Sequence, residues 1–163
     1  MRLTLRSVGK TTELRRALKA RFIPHVADRG FVVDERRQPI STVFRRRVGA
    51  SVQMFEVLWD KYGRPRFAVH FGTCPAEGLL LNGVLHAPED TFPTWCRDTG
   101  SLRGRGRWFR QDATMLRRLS GSPAVRDPDA VVDELLAVFP ELERYWADGQ
   151  AGAHLKLWPP RQF

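Results

Sequence analysis

Two short apolar runs with a period of two dominate this chain. Phe55, Val57 and Trp59 alternate with Met54, Glu56 and Leu58, and a few residues on Phe67, Val69 and Phe71 alternate with Ala68, His70 and Gly72. On a strand, neighbouring side chains point to opposite faces, so each run gathers three large apolar groups on one side. Between them lies Lys61-Tyr62-Gly63-Arg64-Pro65. Gly63 can take positive φ, and Pro65 is tolerated only at a strand start or edge, so the spacing predicts a hairpin. Thr42 to Val48 reads as the preceding strand, turning at Gly49-Ala50. A strand pair alone is marginal in water, so the rest of the chain has to cover it.

Helices supply that cover. Leu14, Ala17, Leu18, Phe22 and Val26 recur at helical spacing from a cap at Thr11 or Thr12 towards Arg29, and Gly30 stands where a left-handed stop is expected. Pro24 is expected to kink or split this helix. Asp127-Pro128-Asp129 is a cap followed by a proline at the first helical position, and Val132, Leu135, Leu136, Phe139, Leu142 and Trp146 form one stripe behind it. Pro140 is expected to bend or divide that helix. A shorter helix is predicted over Ala113 to Leu119, and His154 to Trp158 alternates like a last strand.

The expected fold is therefore α+β: an antiparallel sheet of about four to six strands, covered by an amino-terminal helix and a bent carboxy-terminal one. The turns of the ladder are too short for the crossovers a parallel sheet needs. With 163 residues, one domain is expected over 1–163, with a Gly/Pro/Arg-rich insertion at about 75–107. Within it, Asn82-Gly83 marks a tight turn between Leu79-Leu80-Leu81 and Val84-Leu85, and Trp95 is expected to dock the following bend onto the core.

The pattern Phe22-x-Pro24, Gly30-Phe31, Phe44-x-Arg46, Gln53 and Arg66-Phe67-x-Val69-x-Phe71-Gly72 resembles a bacterial family, domain of unknown function 4304. The resemblance covers roughly the first half of the chain and touches Arg107-Trp108-Phe109 again. It departs at Pro75 to Arg105. Its shared positions are apolar and structural, so it implies a fold and transfers no catalytic residue.

Several function classes are disfavoured. Ser7 to Thr12 looks at first like a phosphate loop, but Thr4 stands where the motif needs its first glycine. No apolar run is long enough to span a membrane. Cys74 and Cys96 have neither metal nor redox spacing, which points to a reducing cytoplasm rather than a disulfide framework. On an extended strand His70 and Cys74 would lie about 13 Å apart, too far for a nucleophile and its base. Neither a catalytic residue, a metal ligand nor a cofactor is assigned.

What remains is charge. The chain carries 27 Lys and Arg against 18 Asp and Glu, a net charge of +9, which points to an anionic partner or to a solvated basic surface. Arg103, Arg105, Arg107, Trp108 and Arg110 alternate basic residues with glycine and then meet an aromatic pair. They are the candidate binding residues, since guanidinium groups on a flexible backbone grip phosphates bidentately. The expected function is a non-enzymatic binding module for an anionic macromolecule, foremost a protein. The alternative is nucleic-acid binding through this Arg/Gly loop, with bases stacking on Trp108. A small-molecule enzyme comes last.

Overall fold

A computed structural model describes residues 10–36, 38–112, 119–121 and 125–160. The first helical segment, α1, spans Lys10–Ala17; it passes into a π-helical turn, Leu18–Phe22, and then into α2, Ile23–Ala27. The π turn resolves the problem of Pro24. The Ile23 N–H donates to the Leu18 carbonyl, five residues back, so the bonding pattern already shifts just ahead of Pro24, whose missing N–H falls at the change of register. The helix thus continues through Pro24 rather than splitting. It stops at Gly30, φ 83°, where the N–H groups of Gly30 and Phe31 return to Ala27 and Val26 at 2.9 and 3.1 Å.

The sheet is built from β1 (Val32–Val33), β2 (Ser41–Val48), β3 (Ser51–Trp59), β4 (Arg66–Pro75), β7 (Gly100–Leu102), β8 (Phe109–Arg110) and β9 (Leu155–Leu157). A separate hairpin pairs β5 (Leu79–Leu81) with β6 (Val84–His86). Its turn puts Asn82 at φ 50° and Gly83 at φ 78°, the left-handed pair that a two-residue turn demands. The sheet runs in the order β1-β2-β3-β4-β7-β9, with β8 also on β4, and every pairing is antiparallel. The expected α+β architecture holds. The sheet has seven strands against the expected four to six; β7 arises in a stretch without a strand signal, and it and β8 pair β4 one after the other.

The register Phe44↔Phe55↔Phe71 aligns aromatics on one face. There Phe22, Phe31, Phe44, Phe55 and Phe139 interlock, with Phe44 stacked on Phe55 at 4.6 Å and Phe139 edge-on to Phe22 and Phe55 at 5.3 Å each. The cover on this side is the first helical segment and α3, Pro128–Asp148. The Asp127 carboxylate caps α3 by accepting the Asp129 N–H at 2.9 Å. α3 stays one helix through Pro140, because Pro140 is exposed and water can serve the Leu136 carbonyl it leaves unbonded.

The opposite face is closed at one end by the insertion. Val52, Met54 and Cys74 pack against Leu79, Cys96 and Trp95, so Trp95 docks the bend as expected. Gly72 permits this closeness: a Cβ there would sit 2.5 Å from the Pro93 carbonyl oxygen and 2.9 Å from Cys96 Cβ. Further along the same face, the buried Glu56 carboxylate accepts from Ser41 Oγ at 2.8 Å and meets His70 Nδ1 at 3.1 Å, with Trp158 edge-on to the His70 ring at 5.0 Å. No helix among the described residues is long and apolar enough to cross a membrane. The expected Ala113 to Leu119 helix lies, but for Leu119, outside the described residues, as does Ser7 to Gly9 of the segment first likened to a phosphate loop.

Candidate binding surface

The turn between β3 and β4 and the short strand β8 meet at one end of the sheet. Asp60, 7% exposed, organises the turn. Its carboxylate accepts the Tyr62 N–H at 2.8 Å and Arg66 Nε at 2.7 Å. Burial pushes this carboxyl up, but the Arg66 guanidinium and the Tyr62 and Arg64 N–H groups outweigh it and hold Asp60 below the usual carboxylate range. Gly63 turns the chain at φ 73°, and Thr11 Oγ1 donates to its carbonyl at 2.7 Å, tying α1 to the turn.

β8 pairs Arg110 with Arg66 and Phe109 with Phe67. Phe109 is fully buried and stacks on Phe67 at 5.3 Å, while the half-buried Trp108 lies on the outside. The Arg66 guanidinium carbon sits 4.6 Å from the centre of the Trp108 ring, and that of Arg107 sits 5.5 Å from it. Nearby, Arg15 lies over Trp59 at 4.2 Å, and Lys61 Nζ is 4.9 Å from the ring of Tyr62, itself 73% exposed. The result is a surface of guanidinium groups interleaved with aromatic rings.

The loop from Arg103 to Trp108 is pinned at two points. The Arg103 N–H donates to the His154 carbonyl at 2.8 Å, and the Arg105 N–H donates to Glu134 Oε1, on α3, at 2.7 Å. Glu134 passes so close to Gly104 that a Cβ there would overlap its carboxylate. Glu134 in turn pairs with Arg126 at 2.7 Å. The loop is a shaped projection held by α3.

Of the five residues singled out from sequence, the structure gathers Arg107 and Trp108 beside Arg66. Arg105 projects alone and exposed. Arg103 Nε reaches Ser101 Oγ on β7 at 3.4 Å. Arg110 is committed internally, its Nε and Nη2 both 3.0 Å from the Asp112 carboxylate oxygens in a bidentate pair. Lys61, Tyr62, Arg64 and Arg66 complete the surface without having been singled out. Only strand pairing brings them there, although a Lys-Tyr-Gly-Arg turn is itself a local basic–aromatic signal.

Elsewhere several guanidinium groups are ion-paired, while those of Arg16, Arg47, Arg97 and Arg144 make no ion pair among the described residues. Arg21 pairs with Asp129 and Asp133, Arg29 with Glu143, Arg36 with Asp34 and Asp90, and Arg45 with Asp34. The side chains of Lys61, Arg64, Arg105 and Arg107 make no ion pair among the described residues, and three of these four flank the Trp108–Arg66 stack or the turn beside it.

The thiols and histidines do not converge. Cys74 and Cys96 are free and buried in the second face; burial raises both thiols, that of Cys96 to about 12, which keeps them protonated and poorly nucleophilic. Cys96 Sγ lies 3.8 Å from Met54 Sδ. His70 is engaged with Glu56, and His86 stands edge-on to Trp95 at 5.9 Å. Among the described residues, no group of three or more His, Cys, Asp and Glu could hold a metal ion. Compared with protein-family models, with curated proteins and with solved structures, the chain finds no match.

Proposed function

We propose that this protein is a non-enzymatic binding module that engages an acidic partner protein through the basic–aromatic end of its sheet. The observation that carries the reading is the gathering of cations and rings at one end: Lys61, Arg64 and Arg107, none of them ion-paired among the described residues, stand around the Arg66–Trp108 stack, with the exposed Arg105 on the adjoining loop. Unanswered charges at one end of a rigid sheet steer an oppositely charged partner and fix its orientation.

One feature favours discrete carboxylates over nucleic acid: the Trp108 ring already lies against Arg66, which limits the face it can offer to a base. A reducing cytoplasm suits a chain whose two thiols stay free and buried.

The test is a titration of the protein against a poly-glutamate peptide, single-stranded RNA and duplex DNA over a salt series. The expected result is binding to the acidic peptide that the double substitution Arg105→Glu/Arg107→Glu abolishes, with little RNA or DNA binding at 150 mM salt, about the physiological ionic strength. RNA binding with a log–log salt slope of about −0.7 per contact, lost in the same double variant, would transfer the surface to nucleic acid. No binding to any polyanion at low salt would overturn the reading.

A further inference from the structure

At the other end of the sheet, β2 and β3 turn at Gly49, φ 56°, and α3 comes to its stop at Gly149, φ 77°. Between them lies a cavity of about 460 Å³ lined by Val48, Ser51, Gln53, Thr73, Asp98, Tyr145, Trp146 and Gly149. In a chain with 27 Lys and Arg, none lines it. Its one charged lining residue is Asp98, whose exposed carboxylate makes no hydrogen bond or ion pair among the described residues. The last carbonyls of α3 add the negative pole of a 21-residue helix.

The polar groups of the wall are held in place from behind. Gln53 is 8% exposed, and its Oε1 accepts from Arg46 Nε and Nη2 at 3.1 and 2.6 Å. That fixes the amide and leaves its N–H groups without a protein acceptor among the described residues. Arg46 stands behind this wall, its guanidinium carbon 5.9 Å from the centre of the Trp146 ring, and is paired with Glu143 at 3.6 Å while donating to the Arg29 carbonyl at 2.9 Å and lying 4.3 Å from the Phe31 ring. Thr73 stands opposite Gln53 in the β3–β4 register, so its hydroxyl and that of Ser51 belong to the same wall. Tyr145 and Trp146 form the aromatic side, braced edge-on by Phe71 at 5.7 and 6.2 Å.

A ligand that satisfies all of these needs a positive charge for Asp98 and the helix end, oxygens for the Gln53 amide and the two hydroxyls, and C–H surface for the aromatic side. Neutral sugars lack the first, and simple alkylammonium ions lack the second. We propose that this cavity binds a small hydroxylated amine of the amino-sugar or amino-alcohol class, with its ammonium on Asp98 and its oxygens on Gln53, Ser51 and Thr73. The site is remote from the basic–aromatic end and does not depend on the reading given for it.

The experiment is an amide and side-chain NMR titration of the intact protein with glucosamine, with glucose and N-acetylglucosamine as uncharged counterparts. Saturable shifts are expected at the Gln53 side-chain amide, the Thr73 amide and the Trp146 indole. Glucosamine should bind at least about tenfold more tightly than either counterpart, the ratio a charge-assisted contact supplies. Asp98→Asn, at an exposed position that leaves the core untouched, should lower glucosamine affinity by a similar factor. Absence of saturable shifts with glucosamine, equal affinity for glucose, or undiminished binding by Asp98→Asn would each overturn the proposal.

Discussion

Arg46 is the side chain whose loss the structure makes easiest to price. It is 20% exposed, bridges Gln53 Oε1 and the Arg29 carbonyl, and lies on the Phe31 ring. Arg46→Met keeps most of the apolar stem and removes only the guanidinium. Unmaking the charge-assisted hydrogen bonds costs about 1.5–3 kcal/mol, and losing the ring contact about 0.5–1 kcal/mol. The sum, roughly 2–4 kcal/mol, corresponds to a fall in Tm on the order of 10 °C for a chain of this size. Most of the cost comes from Gln53, left buried with an unpaired oxygen. Replacing both partners by apolar groups, Arg46→Met with Gln53→Leu, should therefore recover about 1–2 kcal/mol relative to Arg46→Met alone. Urea unfolding of the wild type, both single variants and the double variant closes the cycle. If Arg46→Met costs less than about 0.5 kcal/mol, or if the two substitutions simply add, the pairing carries no net stability and the reasoning fails.

Two further outcomes follow from the same packing. Asp34 is 13% exposed, and hydrogen bonds from Arg36, then Arg45, hold its carboxyl far below the usual 3.8 despite its burial. Its folded-state pKa is depressed, so its contribution is present above the unfolded value and fades as pH falls below about 4; Asp34→Asn should lose it already at pH 7, and urea midpoints at pH 7 and pH 3 should differ less than in the wild type. Gly72→Ala drives a methyl against the Pro93 carbonyl and Cys96, which should cost about 1–3 kcal/mol and speed the reaction of Cys96 with a thiol reagent, whereas unchanged reactivity would mean that the insertion is not seated on Gly72.

The parts of the fold legible in sequence are those whose signal is local. Phe55-x-Val57-x-Trp59 and Phe67-x-Val69-x-Phe71 announce their own periodicity, and Asn82-Gly83 announces its turn. Gly100-Ser101-Leu102 announces nothing: it is a strand because β4 lies on one side and β9 on the other, and both partners are distant in sequence. Pro24 and Pro140 were legible as disturbances but not in their outcome, which hangs on a π turn in one case and on solvent exposure in the other. At the basic end, composition pointed to Arg107 and Trp108 but could not supply Arg66, which arrives through the β4–β8 register. Arg110 shows the reverse. Asp112, two residues on, shares its side of an extended chain, and that local pairing was there to be read. The cavity at the far end leaves no mark in the sequence, because Ser51, Gln53, Thr73, Asp98 and Tyr145 are ordinary residues until the topology assembles them.

The position of β9 has a consequence for synthesis. Its three residues close the outer edge of β7, matching Gly100 to Leu157 and Leu102 to Leu155, yet the ribosome makes them only after the whole of α3. Until they leave the exit tunnel, β7 offers an open row of N–H and C=O groups to any neighbouring nascent chain. Slow translation through α3 would lengthen that vulnerable interval, and a chaperone able to shield a bare strand edge would matter most there.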